Sequence, residues 1–388
     1  MLQQDGNRLM FLVDGLSEDY LPRPALLFRP SRIILAKGSN RTEACRQLAE
    51  KICAAYPETE VIEAFGVSHN RVDLGETDPL RLHKRGKQTL VLAEHHSAVR
   101  FSSEEGNSCP NYWHFSPYGF CPYGCHYCYL AGTPGVWFSP TVKIFLNLEE
   151  ILAEVDRTAN QLAKPTAFYL GKLQDGLALE PLSGYARKMV PFFARHPYAR
   201  MIILTKSADI DNLLDLDHSR RTILTWTVNT PEVANTYEAN TPNVADRIDA
   251  MQKCTKAGYP VRAVIMPIIP VADWREIYSR FIMTLLKSVP LSRITLGSIC
   301  SYPQAQRLME LKLEKNNVIS SLLNYAPSKS IDGRLRFNRS TREEVYKYMI
   351  ECIRRERPDL EIGLCLEDEA MFASLGLQER IGRCNCVF

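Results

Sequence analysis

The sequence predicts an α/β protein, a partial (β/α)6 barrel with an N-terminal α/β layer and a C-terminal cysteine-containing tail. Three observations carry that expectation. From about residue 110 short apolar runs alternate with amphipathic stretches of helical period, the mark of βα units on a parallel sheet. About six such units can be counted, fewer than a closed eightfold barrel requires. The stretch LCLEDEAMFASLGLQERIGRCNCVF (364–388) then breaks the alternation and carries Cys384-x-Cys386. The expected divisions are 1–108 for the N-terminal layer, 109–366 for the barrel and 367–388 for the tail.

In the first region RIILAKG (32–38), TEVIEAF (59–65) and TLVLAEH (89–95) read as strands. TEACRQLAEKICAAY (42–56) reads as a helix capped by the preceding Ser-Asn-Arg-Thr. The charged, glycine-containing 69–87 reads as a loop. In the second region the predicted helices are 148–163, 181–196, 210–216, 243–258, 276–289 and 341–357. They alternate with predicted strands at 166–171, 199–206, 221–229, 261–269, 292–300 and 360–366. Chemistry in such folds sits at the carboxyl ends of the strands. That rule brings Gly171, Lys206, Asn229, Pro267, Cys300 and Cys365 to a common mouth.

Composition narrows the function classes. With 45% hydrophobic and 23% charged residues the chain is an ordinary globular one. MLQQDGNRLMFLVDGLSEDYL (1–21) has no basic start, apolar core or small-residue cleavage site, and no run is apolar for the roughly 18 residues a membrane span needs. The expectation is a cytoplasmic protein without a membrane partner. In a reducing compartment its twelve cysteines point to metal ligation or catalysis before disulfides. A net charge of +3 is too mild to imply nucleic acid on its own.

The chemistry concentrates in CPYGCHYCY (121–129), where Cys121, Cys125 and Cys128 stand at spacings C-x3-C-x2-C among aromatics. Three thiolates can hold a [4Fe-4S] cluster by three of its irons. The fourth iron is then open to S-adenosylmethionine, whose reductive cleavage yields a 5′-deoxyadenosyl radical. The alternative is a zinc site completed by Cys109, His114 or His126, although structural zinc favours paired C-x2-C knuckles.

The triplet, with an aromatic just before its last cysteine, resembles the radical S-adenosylmethionine enzymes. CHYCYL, KIFLNLEEIL, FYLG, LTK, WTVN and AGYP follow in the order of one branch, and from about residue 30 to 365 the chain resembles the spore photoproduct lyase family. The resemblance implies a [4Fe-4S] cluster on Cys121, Cys125 and Cys128, and S-adenosylmethionine beside Tyr127, Tyr129 and Gly171. It implies Lys206 at the cofactor's methionine end and Thr227 near its ribose, with Asn229 alongside. It also implies an electron donor such as flavodoxin or ferredoxin, and a nucleobase lesion in DNA as substrate. An element near DGRLRFNRSTR (332–342) engages DNA in that family, which makes Arg334 and Arg336 candidate substrate-binding residues.

Two departures stand out. Where the family carries a Gly-Glu segment and a radical-quenching cysteine, this chain reads GKLQDGLALEP (171–181), with Lys172 in place of the acid and Asp175 near the place of the thiol. A carboxylate does not donate a hydrogen atom as a thiol does, so Asp175 enters only as a candidate catalytic residue. The tail supplies Cys365, Cys384 and Cys386, which with Cys300 could hold a second iron–sulfur cluster or supply the missing hydrogen atom or electron; unrelated thiols are the plainer reading. Three functions remain open on the sequence alone: a lyase acting on nucleic acid, radical tailoring of a small molecule or peptide, and a non-catalytic iron–sulfur or zinc protein.

Overall fold

The computed structural model describes residues 20–325, 328–329 and 332–388, so the reading of the first nineteen residues lies outside the described ones. Eight strands form the main sheet: β1 Val99–Ser102, β2 Tyr112–Phe115, β3 Thr166–Leu170, β4 Ala199–Thr205, β5 Thr222–Thr227, β6 Val261–Ile265, β7 Arg293–Leu296 and β8 Glu361–Leu364. They lie side by side in chain order. Neighbours from β2 to β8 are parallel, and β1 is antiparallel on the edge. Because β1 and β8 are not bonded to each other, the barrel stays open. The extra parallel strand relative to the six expected units is β2, whose sequence YWHF is too short and too polar to show as an apolar run.

The alternation along each strand sorts its two faces. Phe168, Leu170, Met201, Ile203, Leu224 and Trp226 pack into the main core, with helices such as Leu148–Leu162. That helix buries Leu148, Ile151, Leu152, Val155 and Ala159, one face at the 3.6-residue period, and ends at Ala163 in the left-handed conformation. Ala167, Tyr169, Ile202 and Ile223 point the other way and pack against Cys386, Val387 and Phe388. The tail thus enters the open barrel and fills its inner face. Arg262 donates to the Val387 carbonyl at 2.6 Å. Arg293 donates to those of Cys384 and Val387 at 2.8 and 3.1 Å. The expected helix at 210–216 is instead a 3-10 turn, Asp211–Leu213, closed by the bond from Leu213 N to Ile210 O and followed by a second three-residue bond from Leu216 N to Leu213 O, which also accepts from Tyr259 Oη.

The N-terminal layer is a second sheet in the order Glu60–Glu63, Arg32–Leu35, Thr89–Ala93, Val142–Phe145, Tyr118–Gly119. Its last two strands come from beyond residue 108. The segment between them, 120–141, holds the cysteine triplet, so this layer anchors the triplet loop at both ends.

Candidate active site

A cavity of about 280 Å³ opens at the carboxyl ends of the barrel strands. Eight of the twelve cysteines line it: Cys109, Cys121, Cys125, Cys128, Cys300, Cys365, Cys384 and Cys386. The triplet forms one wall. Gly124–Cys125 pairs antiparallel with Glu238–Ala239, and a Cβ on Gly124 would come within 2.9 Å of the Ala239 carbonyl oxygen, so only glycine permits that pairing. Lys87 Nζ donates to the carbonyls of Cys121 and Tyr123 from behind the loop. Burial pushes the Cys125 thiol up to about 11 and raises Cys121 as well. Both would release protons on binding metal.

Beneath the loop lies a charge network that sequence reasoning missed. Glu238 and Arg247, both fully buried, pair at 2.6 Å. Glu238 also accepts from the Tyr127 hydroxyl and lies 3.8 Å from Lys206 Nζ. Burial alone would lower the Lys206 ammonium, yet Glu238 and the Cys125 thiol outweigh it and hold it raised. Tyr127 is therefore wedged between the cluster loop and a buried carboxylate, and Lys206 keeps its charge facing the cavity. The one hint in the sequence was an acid in YEAN, with nothing to mark it as buried.

Of the other expected residues, Tyr129, Gly171 and Thr227 line the cavity. At Gly171 a Cβ would meet Leu204 Cβ at 2.7 Å, so the backbone there leaves space no other residue would leave. Asn229 is corrected: it is fully buried away from the cavity, donates to Pro267 O and accepts from Tyr278 Oη and Thr230 N. Asp175 lines the cavity, but its Oδ1 accepts from Leu177 N, Ala178 N and Thr205 Oγ1 and its Oδ2 from Lys206 N at 2.7 Å. With its acceptor sites occupied, it is a clamp that fixes the end of β4 and not a reacting group. Arg336 is also corrected: it is buried, ion-paired to Asp332 at 2.7 Å and bonded to Asn107, so it does not face phosphate. Arg334 does reach the cavity, held by Glu104 at 2.8 Å and Tyr302. The same Glu104 accepts from Lys172 and Tyr112 Oη, an acid brought from the loop after β1 to the place where Lys172 stands for the family's acid.

Cys365, Cys384 and Cys386 line the cavity together with Cys109, as a group apart from the triplet. His114 and His126 do not line the cavity, and Cys109 sits with the tail, so the zinc alternative loses its fourth ligand. Among the described residues no three His, Cys, Asp or Glu side chains converge on a single ion position.

A family model for spore photoproduct lyase matches residues 31–299. The chain belongs to the spore photoproduct lyase family. It is 28% identical over 226 residues to the spore photoproduct lyase of Bacillus subtilis, covering 58% of this chain and 64% of that one. It is 30% identical over 235 residues to that of a Geobacillus species, covering 59% and 67%. The match thus spans about two thirds of the length of these curated relatives. Among solved structures, a mutant spore photoproduct lyase with bound AdoMet and dinucleoside spore photoproduct superposes with a TM-score of 0.75 at 22% identity, over 86% of this chain and 98% of that one. The spore photoproduct lyase fold is therefore present, and residues 300–388, which include β8 and the tail, lie outside the family match.

Proposed function

We propose that this chain is a radical S-adenosylmethionine enzyme of the lyase type that acts on a nucleobase lesion in nucleic acid. The observation that carries the reading is a single cavity lined by the three half-buried triplet thiols, the Lys206 ammonium and several tyrosine rings. The residues fit the cofactors: three thiols on one loop leave no fourth protein ligand there, and Gly171 leaves room beside them. When bound, a [4Fe-4S] cluster supplies the electron that cleaves S-adenosylmethionine to the radical that abstracts hydrogen from substrate. Cys121, Cys125 and Cys128 would hold the cluster, Lys206 would meet the cofactor's carboxylate, and Thr227 would offer a hydroxyl nearby. Tyr112, Tyr129 and Tyr169 give the remaining space flat apolar faces suited to a base.

Electrons would enter from behind the loop. A groove of about 560 Å³ there is lined by Arg29, Lys84, Lys87 and Lys312, a basic surface complementary to an acidic one-electron carrier such as flavodoxin or ferredoxin. Among the described residues no helix is long and apolar enough to cross a membrane.

A second reading, radical tailoring of a small molecule or peptide, is favoured by one observation: Arg334 and Arg336 are paired with Glu104 and Asp332 and not held out for phosphates. Incubating the reduced, reconstituted enzyme with dinucleoside spore photoproduct and S-adenosylmethionine separates the two. Conversion to the repaired dinucleoside supports the lesion lyase, and cofactor cleavage without conversion supports the second reading.

A further inference from the structure

The cavity holds a second group of thiols apart from the triplet. Cys109 precedes β2, Cys365 follows β8, and Cys384 and Cys386 sit on the tail inside the barrel. Three separate segments thus bring four thiols to one face of the cavity. Cys384 is in thiol contact with both Cys109 and Cys386, the Cys386 backbone N–H points at Cys384 Sγ at 3.4 Å, and Cys365 neighbours Cys109 and Cys384. N–H groups aimed at sulfur support metal thiolates, and here the backbone supplies one.

Two further features ask for negative charge at this spot. Arg262 and Arg293 are buried beneath the tail with one carboxylate, Glu361, between them. Arg262 Nε has no hydrogen-bond partner. Asn385, between the two cysteines, is also buried in the cavity wall, with neither its Nδ2 nor its Oδ1 partnered. An unpaired buried amide and an undercompensated guanidinium are each costly, and an anionic group ligated by the four thiolates would relieve both.

We propose that Cys109, Cys365, Cys384 and Cys386 ligate a second iron–sulfur cluster, held at all four positions by the protein, apart from the triplet. The structure replaces Cys300 by Cys109 in this set. Cys300 is on a different strand, Cys300–Ser301, beside Arg334 and Arg336. A mononuclear zinc is disfavoured because no three of these groups converge on one ion position among the described residues. With every iron held by protein, such a cluster has no site for S-adenosylmethionine and is suited to carry single electrons at the substrate side of the cavity.

The test is metal content, which does not depend on what the triplet does. In anaerobically reconstituted protein, the triple variant Cys121→Ser, Cys125→Ser, Cys128→Ser should keep about four irons and four sulfides per chain. The double variant Cys384→Ser, Cys386→Ser should lose about half of the wild type's iron while still cleaving S-adenosylmethionine. Should the triple variant fail to fold, the iron of the wild type against the folded double variant decides the matter. Equal iron in those two proteins, zinc in place of iron, or a Cys109–Cys384 disulfide in the reduced and reconstituted wild type would each overturn the second cluster. None of these results would touch the assignment of the triplet.

Discussion

Single residues show where a sequence can speak and where it cannot. Cys121, Cys125 and Cys128 stand out by their spacing, Lys206 because strand ends converge in this fold, and Thr227 only through the family resemblance; all five line the cavity. Asn229 and Asp175 stood at equally promising places, yet their polar atoms are occupied by Pro267, Tyr278 and the backbone around β4. A sequence gives a residue's position along the strand but not its neighbours' appetite for hydrogen bonds. Glu238 went unnoticed for the converse reason: what makes it matter is a buried arginine nine residues on. Lys206→Ala should weaken S-adenosylmethionine binding about ten- to a hundredfold, the worth of one charge-assisted hydrogen bond, with iron content unchanged; isothermal titration of the reconstituted protein would show it, and unchanged affinity would mean that Lys206 serves only Glu238. Arg247→Ala takes from the buried Glu238 its nearest ion partner, leaving only Lys206 at 3.8 Å and the Tyr127 hydroxyl, and should cost about 3 kcal/mol of stability, read as a lower denaturant midpoint, together with poor cluster retention.

At the scale of elements, the strands with long apolar runs are legible, and two short ones, one in each sheet, are not. Tyr112–Phe115 and Val142–Phe145 are four residues each and take their partners from distant segments. The basic stretch 332–342 does lie at the mouth, where Leu335–Arg336 pairs with Cys300–Ser301, but its alternating arginines face acids that the sequence carries far away or just before it. Arg336→Ala should therefore lower stability by about 3–5 kcal/mol, as for other broken buried pairs, without changing the salt slope of any DNA binding; a flattened slope at unchanged stability would restore the phosphate-binding role. The groove behind the triplet loop makes the opposite prediction. Arg29→Glu with Lys84→Glu should slow reduction by flavodoxin and remove its salt dependence, measured by stopped flow. Lys87 is left intact because it holds the loop carbonyls.

For the whole molecule, the open barrel was legible in the βα alternation, because each unit satisfies its own hydrophobic pattern locally. That the tail would fill the barrel was not, since Cys386, Val387 and Phe388 meet Tyr169, Ile202 and Ile223 only after every strand is in place. The layering also sets acid stability. His69 and His95 pack edge to face at 5.2 Å against Phe145 in the N-terminal layer, and burial pushes each down to about 4. With folded values below the ordinary 6.5, their contribution is present above pH 6.5 and is lost as pH falls toward 4, because the unfolded chain binds those protons first. The melting temperature should drop across that window, and less steeply for a His69→Gln, His95→Gln variant. The central claim, that the triplet supports radical chemistry on S-adenosylmethionine, is tested most directly by assaying 5′-deoxyadenosine after reduction of the anaerobically reconstituted protein. The wild type should form it, and Cys121→Ala, Cys125→Ala and Cys128→Ala should each form none; no product from the iron-loaded wild type, or undiminished product from any of the three variants, would contradict the account.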